Sequence, residues 1–345
     1  MTRAVRFIPW LLLAIAALSL PLVAGEFYVN LITQMLIAAI FASSLNLLVG
    51  YGGLTSLGHA AFLGMAAYIS AWLFLKLGLP HGLSAPAALV GATAVACVFG
   101  WIALRATGLG FLMLTLALSQ VLWGLAYRWV SVTDGDNGLR GLTRPQPFGI
   151  NLDKATAFYY FTLAVTVIAL AAMAQFVRSP FGAALRGTRD QPRRLRALGY
   201  HVWLIRWLTF VYAGFWGGVA GLVFVYYNKY IHPSALSLQS SAEGLLAVIA
   251  GGSGTLAGPV VGAAIVVFLK NYVSAYIERW NMLLGFVFLF IVLFMPDGLV
   301  PGVQRLWRRV MRARPVSAAA PAVSPMQSTT AAPVQGASDA RGQRP

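Results

Sequence analysis

Residues Ala242–Ile277 read AEGLLAVIAGGSGTLAGPVVGAAIVVFLKNYVSAYI, and this stretch decides how the chain is arranged. A helix crosses the hydrocarbon core of a bilayer in about 20 residues. The stretch is apolar enough for that setting and too long for one crossing. Its middle carries Gly251-Gly252-Ser253-Gly254-Thr255, then Gly258-Pro259. Glycine weakens a helix interior and proline opens a new one. The expectation is a short segment running to Ala250, a break, and a return helix from Pro259.

Working outward, eight further apolar spans read as membrane helices. Phe7–Ala24, Tyr28–Val49, Leu57–Leu75, Ala85–Leu104 and Leu109–Val130 form the first half. Ala157–Val177, Ile205–Tyr227 and Met282–Val300 join the broken stretch in the second. Phe7–Ala24 follows Arg3 and Arg6, so a signal peptide competes with a retained helix. The apolar run is longer than a typical signal core, which favours retention.

Basic residues in short loops mark the cytoplasmic side. Arg3 and Arg6 put the N-terminus inside. Arg178, Arg186, Arg189, Arg193, Arg194, Arg196 and Arg206 make the loop they share cytoplasmic. Arg305, Arg308, Arg309, Arg312 and Arg314 do the same for the tail. Six spans precede the Arg178 loop, and three unbroken ones after it would leave the tail outside. The break in 242–277 restores parity. The expected fold is an all-α polytopic membrane protein of about ten segments, including broken helices, with both termini cytoplasmic. The core is 28–304, after a first helix in 1–27. Residues 305–345 read as a basic stretch followed by a disordered tail rich in Ala, Pro, Ser and Thr.

Composition agrees. Of 345 residues 59% are hydrophobic and 10% charged, against about 25% charged in soluble domains. The formal charge is +16, from 25 Lys+Arg against 9 Asp+Glu. In a soluble domain that would suggest nucleic acid. Here the basic residues sit in connections between apolar spans, which excludes it. The single cysteine, Cys97, lies inside a span and reads as a small packing residue.

Three constellations stand out. Gly50–Gly64 (GYGGLTSLGHAAFLG) is glycine-rich, apolar and dotted with hydroxyls. Gly251–Gly262 repeats glycine at 254, 258 and 262. The two lie in opposite halves of the chain, and interrupted spans in corresponding halves point to a transport pathway. Tight helix packing would produce the same glycines one at a time. The third is the Arg178–Arg206 loop. Ser179 is placed to cap a helix opened by Pro180, with Phe181 and Leu185 on one face and a weak point at Gly187. Asp190 is placed to cap a second helix through Pro192, with Leu195 and Leu198 sharing a face and Gly199 ending it. Two short basic amphipathic helices suit either docking to another protein or anionic headgroups. Arg105, Arg128, Glu243, Lys270 and Glu278 fall near span ends, where snorkelling is the ordinary explanation. His59 reads as a structural, hydrogen-bonded histidine, and Asn46 as interhelical glue.

Absences matter as well. No glycine is followed by lysine, so there is no phosphate loop of the GxxxxGK[ST] kind. HExxH, CxxC and GxSxG are missing, and His59, His81, His201 and His232 have no metal-ligand spacing.

Three stretches give the chain a resemblance to the permeases of branched-chain amino acid ABC importers, of the LivM type. Gly50–Tyr68 resembles the G-x-x-S-x-G-x-A-x-F-x-G signature of that family. Ser179–Gly199 stands where the family has its cytoplasmic coupling segment. Gly251–Ala264 followed by Pro296-Asp297-Gly298-Leu299 resembles its C-terminal half. The likeness covers about residues 25–305.

The resemblance implies a transporter subunit rather than an enzyme. It implies a second, homologous permease, two cytoplasmic ATPase subunits that hold ATP and Mg, and a periplasmic solute-binding protein. It implies a bacterial inner membrane and no cofactor in this chain. It implies a path shaped by Gly53, Ser56, Gly58, His59, Ala61 and Phe62, with Gly252, Gly254, Thr255 and Gly258 in the second half. It implies coupling through 178–206, carried by Ser179, Phe181, Gly182, Leu185, Arg186, Asp190, Leu198 and Gly199. Two departures stand out. Gln191-Pro192-Arg193-Arg194 lacks the acids usual in the second coupling helix. Thr133-Asp134-Gly135-Asp136-Asn137-Gly138 moves the acids of the family's TGGxDG loop. An ion-coupled secondary carrier, an ABC permease for urea or amides, and a membrane-embedded enzyme remain as rival readings. The carrier would use Glu243 as its buried acid; the enzyme would need Asp134, Asp136 and Asp153 as more than turn residues.

Overall fold

The computed structural model describes residues 17–21, 25–146 and 151–274, with scattered positions between 282 and 305. Of the expected first helix only 17–21 falls in that set. It is helical, and the hydroxyls of Tyr159 and Tyr160 donate to the carbonyls of Ala17 and Leu18 at 2.7 and 2.9 Å. The span Met282–Val300 is described only at isolated positions, and the tail beyond Arg305 lies outside the described residues, as do Glu278, Arg279, Pro296 and Asp297.

Six helices among the described residues are long and apolar enough to cross a membrane. They are α1 (Glu26–Asn46, extended by a π-turn at Leu47–Tyr51), α2 (Ala60–Leu77), α3 (His81–Ala103), α4 (Leu109–Arg128), α6 (Ala155–Arg178) and α9 (Val202–Asn228). A short α5 (Val130–Thr133) follows α4, and α7 (Pro180–Asp190) and α8 (Pro192–Ala197) follow α6. The bilayer offers no water to a peptide group, so each crossing satisfies its backbone within its own helix. The expected spans match these helices to within a few residues, because twenty apolar residues in a row have few other fates.

The long apolar stretch breaks where glycine and proline predict. Here α10 (Leu238–Gly251) is followed by a loop and by α11 (Gly258–Phe268), which ends in a π-turn at Leu269–Val273. Close pairs run in opposite senses along the two: a methyl added at Gly262 would strike the Ala247 carbonyl, one at Gly251 would strike Gly258, and Lys270 meets Glu243. The two short helices are therefore an antiparallel hairpin.

Between helices the core is built from small residues. Association in lipid depends on close packing, because lipid tails are as apolar as leucine. Gly214, Gly218 and Gly221 of α9 face Ala96, then Ala92 and Ala66, then the Leu63 carbonyl. At Gly221 a single added carbon would occupy the space of that carbonyl, so α2 and α9 touch backbone to backbone there.

The chain ends its helices at two opposed faces. One face carries the loop at Arg105, the end of α1, and α7 and α8. The other joins the two long connections, which the helical pattern did not anticipate would pair. Leu139–Arg140 (β1) and Tyr230–Ile231 (β2) form a two-residue antiparallel ladder, with Leu139 opposite Ile231. Arg144 ties this face together by donating to the carbonyls of Tyr226, Tyr227, Leu152 and Asp153. Lys229 and Asp153 pair at 3.0 Å, and Asp134 takes a left-handed turn conformation.

Candidate functional site

The two interrupted helices meet. Asn46, the last α-helical residue of α1, is buried and grips the α10–α11 loop twice. Its Nδ2 donates to the Thr255 carbonyl at 2.9 Å, and its Oδ1 accepts from the Gly254 amide at 2.9 Å. The next residues form the π-turn, a feature that recurs at functional sites. Gly50 in that turn has no room for a side chain, since a β-carbon would run into Asn46 Oδ1 and the Gly254 nitrogen. On the loop side, Thr255 Oγ1 donates to the Gly252 carbonyl at 2.9 Å and accepts from the Gly258 amide at 3.0 Å. Thr255 thus bridges the end of α10 and the start of α11. Gly298 packs against Gly252.

After the π-turn the chain stays non-helical until α2 begins at Ala60. Thr115 is the seventh residue of α4, about 9 Å along it at 1.5 Å per residue. Gly58 lies against its carbonyl, so α2 starts well inside the bundle. A buried helix start leaves amides that need acceptors. Thr115 Oγ1 accepts from Leu57 N at 3.4 Å, Ser56 Oγ from Gly58 N at 3.3 Å, and Ser241 Oγ from Ala60 N at 3.1 Å. His59 is fully buried and shares a 2.8 Å hydrogen bond with Ser44 Oγ. Its ring lies 5.3 Å from Phe41 and 5.4 Å from Phe62. Ser56, Gly58, His59, Ala61 and Phe62 are thus all packed inside the chain, whereas Gly53 is exposed at the basic face. Gly53 and Thr55 line a shallow cleft there with Gly108 and Leu109.

The basic face is joined to both breaks by α7. Ser179 caps α7 as its sequence predicts, accepting from Gly182 N at 3.3 Å, with Pro180 in the first turn. Gly182 fits tightly under the Phe176 and Val177 carbonyls. Arg189 then reaches inward. Its Nη1 donates to the Gly50 carbonyl at 2.6 Å while its methylene stem covers Gly53. The same Nη1 lies beside Gly254 of the second break. Arg206 holds α7 from the other side, donating to the Thr188 carbonyl at 2.6 Å.

Several sequence expectations for this segment change. The α7 helix runs through Gly187, because the missing side chain there makes room for Leu195 of α8 to dock. Asp190 ends α7 and pairs with Arg189 at 2.8 Å instead of capping α8, whose cap position is Gln191. Leu195 and Leu198 do not share a packed face: α8 stops at Ala197, Gly199 takes positive φ, and Leu198 is left exposed. Leu185 is fully buried, next to the position a Gly52 side chain would take. Phe181 is partly buried with its ring tilted against Phe176 at 5.1 Å, and Arg186 Nη1 donates to the Val177 carbonyl at 3.1 Å. Arg189 was only one basic residue among seven in the sequence; nothing in the pattern singled it out.

At the opposite face a cavity of about 440 Å³ opens between α1, the end of α9, α10 and α11. Gln34, Phe41, Tyr227, Glu243, Val266 and Lys270 are among its lining residues. Phe41 separates it from His59 and the first break. Among the described residues no cluster of His, Cys, Asp and Glu is suited to a metal ion.

Residues 27–293 match the family described as branched-chain amino acid transport system, permease component. The chain is 24% identical over 312 residues to the high-affinity branched-chain amino acid transport system permease protein LivM of Salmonella typhimurium, covering 84% of this chain and 73% of that protein. It is 23% identical over 290 residues to LivH of Escherichia coli, covering 78% of this chain and 93% of the relative. A probable LivM of Methanocaldococcus jannaschii matches over 43% of this chain and 47% of its own length at 23% identity. No solved structure matches. Six membrane-capable helices among the described residues, two broken ones meeting at Asn46, and a family match across most of the chain agree: this multi-pass membrane protein belongs to the branched-chain amino acid permease family of ABC transport systems.

Proposed function

We propose that this chain is one of two homologous permease subunits of an ATP-driven importer for branched-chain or related amino acids. It works by alternating access, with ATP and Mg held by two cytoplasmic ATPase subunits and substrate delivered by a periplasmic binding protein. The Arg189 bridge carries this reading. A short surface helix that grips the crossing of two broken membrane helices is a lever: displacing α7 pulls on Gly50 directly and bears on Gly254. Rigid-body motion of a docking element is a common way to rock a bundle between two openings.

The charge distribution supports the sidedness. The face with α7 and α8 carries Arg105, Arg178, Arg186, Arg189, Arg193, Arg194, Arg196 and Arg206 against one acid, Asp190. The other face mixes Lys76, Arg140, Arg144, Lys154 and Lys229 with Asp134, Asp136 and Asp153. By the positive-inside rule the α7 face is cytoplasmic in a bacterial inner membrane. About ten segments with both termini inside complete this topology. Ser56, Gly58, His59, Ala61 and Phe62, with Gly252, Gly254, Thr255 and Gly258, shape the path from within the packing and Gly53 from the basic face, and Phe181, Gly182, Leu185, Arg186, Asp190, Leu198 and Gly199 set the position and surface of the coupling segment. The acid an ion-coupled carrier would use, Glu243, is neutralised by Lys270 at 3.0 Å.

The test is uptake of labelled leucine, isoleucine, valine and urea by cells lacking the chain and by complemented cells, with ATP depleted or the proton gradient collapsed. Leucine-group uptake that needs the chain and tracks ATP is expected. Uptake that tracks the gradient would replace this reading with a secondary carrier.

A further inference from the structure

The cavity at the outer face is more than a gap between helices. One wall carries a fixed ion pair: Lys270 Nζ lies 3.0 and 3.3 Å from the two carboxylate oxygens of Glu243. Gln239 donates to Glu243 Oε1 at 3.2 Å and helps to fix its position. Five residues into α10, Glu243 is only 20% exposed, so it faces the cavity more than solvent. The π-turn at Leu269–Val273 sets Lys270 and its neighbour Asn271 on the same cavity. Across it, Asn271 Nδ2 donates to Gln34 Oε1 at 3.0 Å and Gln34 Nε2 donates to the Tyr227 hydroxyl at 2.9 Å. The deeper surface is apolar, with Ile37, Phe41, Ala42, Leu63, Ala263 and Val266.

We propose that Glu243 and Lys270 form a zwitterion clamp, binding the ammonium and carboxylate of a small α-amino acid whose apolar side chain enters the floor of the cavity. The proposal rests on the permease reading above and gives it a binding site. Three features of the cavity carry it. Its volume lies within the range of small-molecule sites, roughly 300–1,000 Å³. An ammonium and a carboxylate on one carbon match an opposed carboxylate and ammonium head to tail, so each ligand charge meets its opposite. The ligand is itself neutral overall, which avoids the cost of carrying a net charge into a low-dielectric wall. A free carboxylate or a free amine would leave one member of the pair facing a mismatched group.

The experiment uses the full-length chain in lipid nanodiscs and three probes: L-leucine, L-leucinol without the carboxylate, and 4-methylpentanoate without the ammonium. Binding is measured by calorimetry, beside the cell uptake assay. Leucine is expected to bind at least tenfold more tightly than either of the others. Lys270→Met should erase the advantage of leucine over leucinol, with leucinol bound at least as tightly as by the wild type because Glu243 loses its competing cation. Glu243→Gln should erase its advantage over 4-methylpentanoate, with that probe bound at least as tightly as by the wild type because Lys270 loses a competing anion. The exchange Glu243→Lys with Lys270→Glu keeps the pair and should keep leucine the tightest of the three. It serves if either single variant fails to fold. Equal losses for all three probes, no loss in either variant, or leucine uptake without measurable leucine binding overturns the clamp and leaves the permease standing. A wild-type chain that neither binds a probe nor restores leucine uptake overturns the permease reading and the clamp with it.

Discussion

Replacing Asn46 with alanine tests whether the two broken helices are held as one unit. The substitution deletes two hydrogen bonds, from Nδ2 to the Thr255 carbonyl and from the Gly254 amide to Oδ1, both 2.9 Å. Interhelical hydrogen bonds in membrane proteins average about 0.6 kcal/mol, so two give a floor of about 1.2 kcal/mol. Leaving two part-buried backbone groups incompletely paired adds roughly 1 kcal/mol more in all. The expected cost is therefore roughly 2–3 kcal/mol, concentrated on the loop between α10 and α11. At 1.4 kcal/mol per tenfold, a cost of 2 kcal/mol multiplies the open population of that loop about 30-fold. Hydrogen–deuterium exchange of the peptide containing 252–258 in nanodiscs should rise by about that factor. The middle of α9 should exchange as before. Asn46→Asp keeps an acceptor for Gly254 and loses the donor to Thr255, so it should fall between. Unchanged exchange at 252–258 in Asn46→Ala would refute the idea that this residue clamps the break.

Other substitutions separate packing from coupling. Arg189→Ala removes an exposed arginine's bond to the Gly50 carbonyl, so thermal stability should fall by less than about 1 kcal/mol while substrate-stimulated ATP hydrolysis in the assembled transporter is lost. Stimulation at the wild-type level would remove α7 from the coupling route. Phe181→Asp should insert normally and lose the same stimulation. Leu185→Asp should instead lose folded protein, because it puts a carboxylate at a fully buried position, and fluorescence size-exclusion profiles distinguish the two. Gly221→Ala drives a methyl into the Leu63 carbonyl and should cost about 1–3 kcal/mol in melting experiments. Gly124→Ala, in a helix with open space around it, should be neutral or stabilising by up to about 1 kcal/mol.

Much of this molecule is written in local pattern, and the rest in distance. Twenty apolar residues in succession dictate a membrane helix wherever they occur, so the six described crossings were legible. The break at Gly251–Gly258 was legible for the same local reason, and so was the Ser179–Pro180 helix start. Elsewhere a tertiary neighbour overrides the local pattern. Gly187 looked like a helix end, but its empty side is filled by Leu195, so α7 continues and Asp190 loses its capping role. Leu185 looked like half of an exposed amphipathic face, but the end of α1 covers it.

What the sequence by itself determined is the all-helical membrane class, the positions of the crossings and the two glycine-rich interruptions, because these depend on residues close together in the chain. What only the tertiary structure decided is which distant groups meet. Asn46 reaches Gly254 and Thr255 more than two hundred residues away, Arg189 reaches Gly50, and Glu243 finds Lys270. A polar side chain in a span announces that it needs a partner, since the bilayer supplies none. Only the packing of the helices determines which partner it finds.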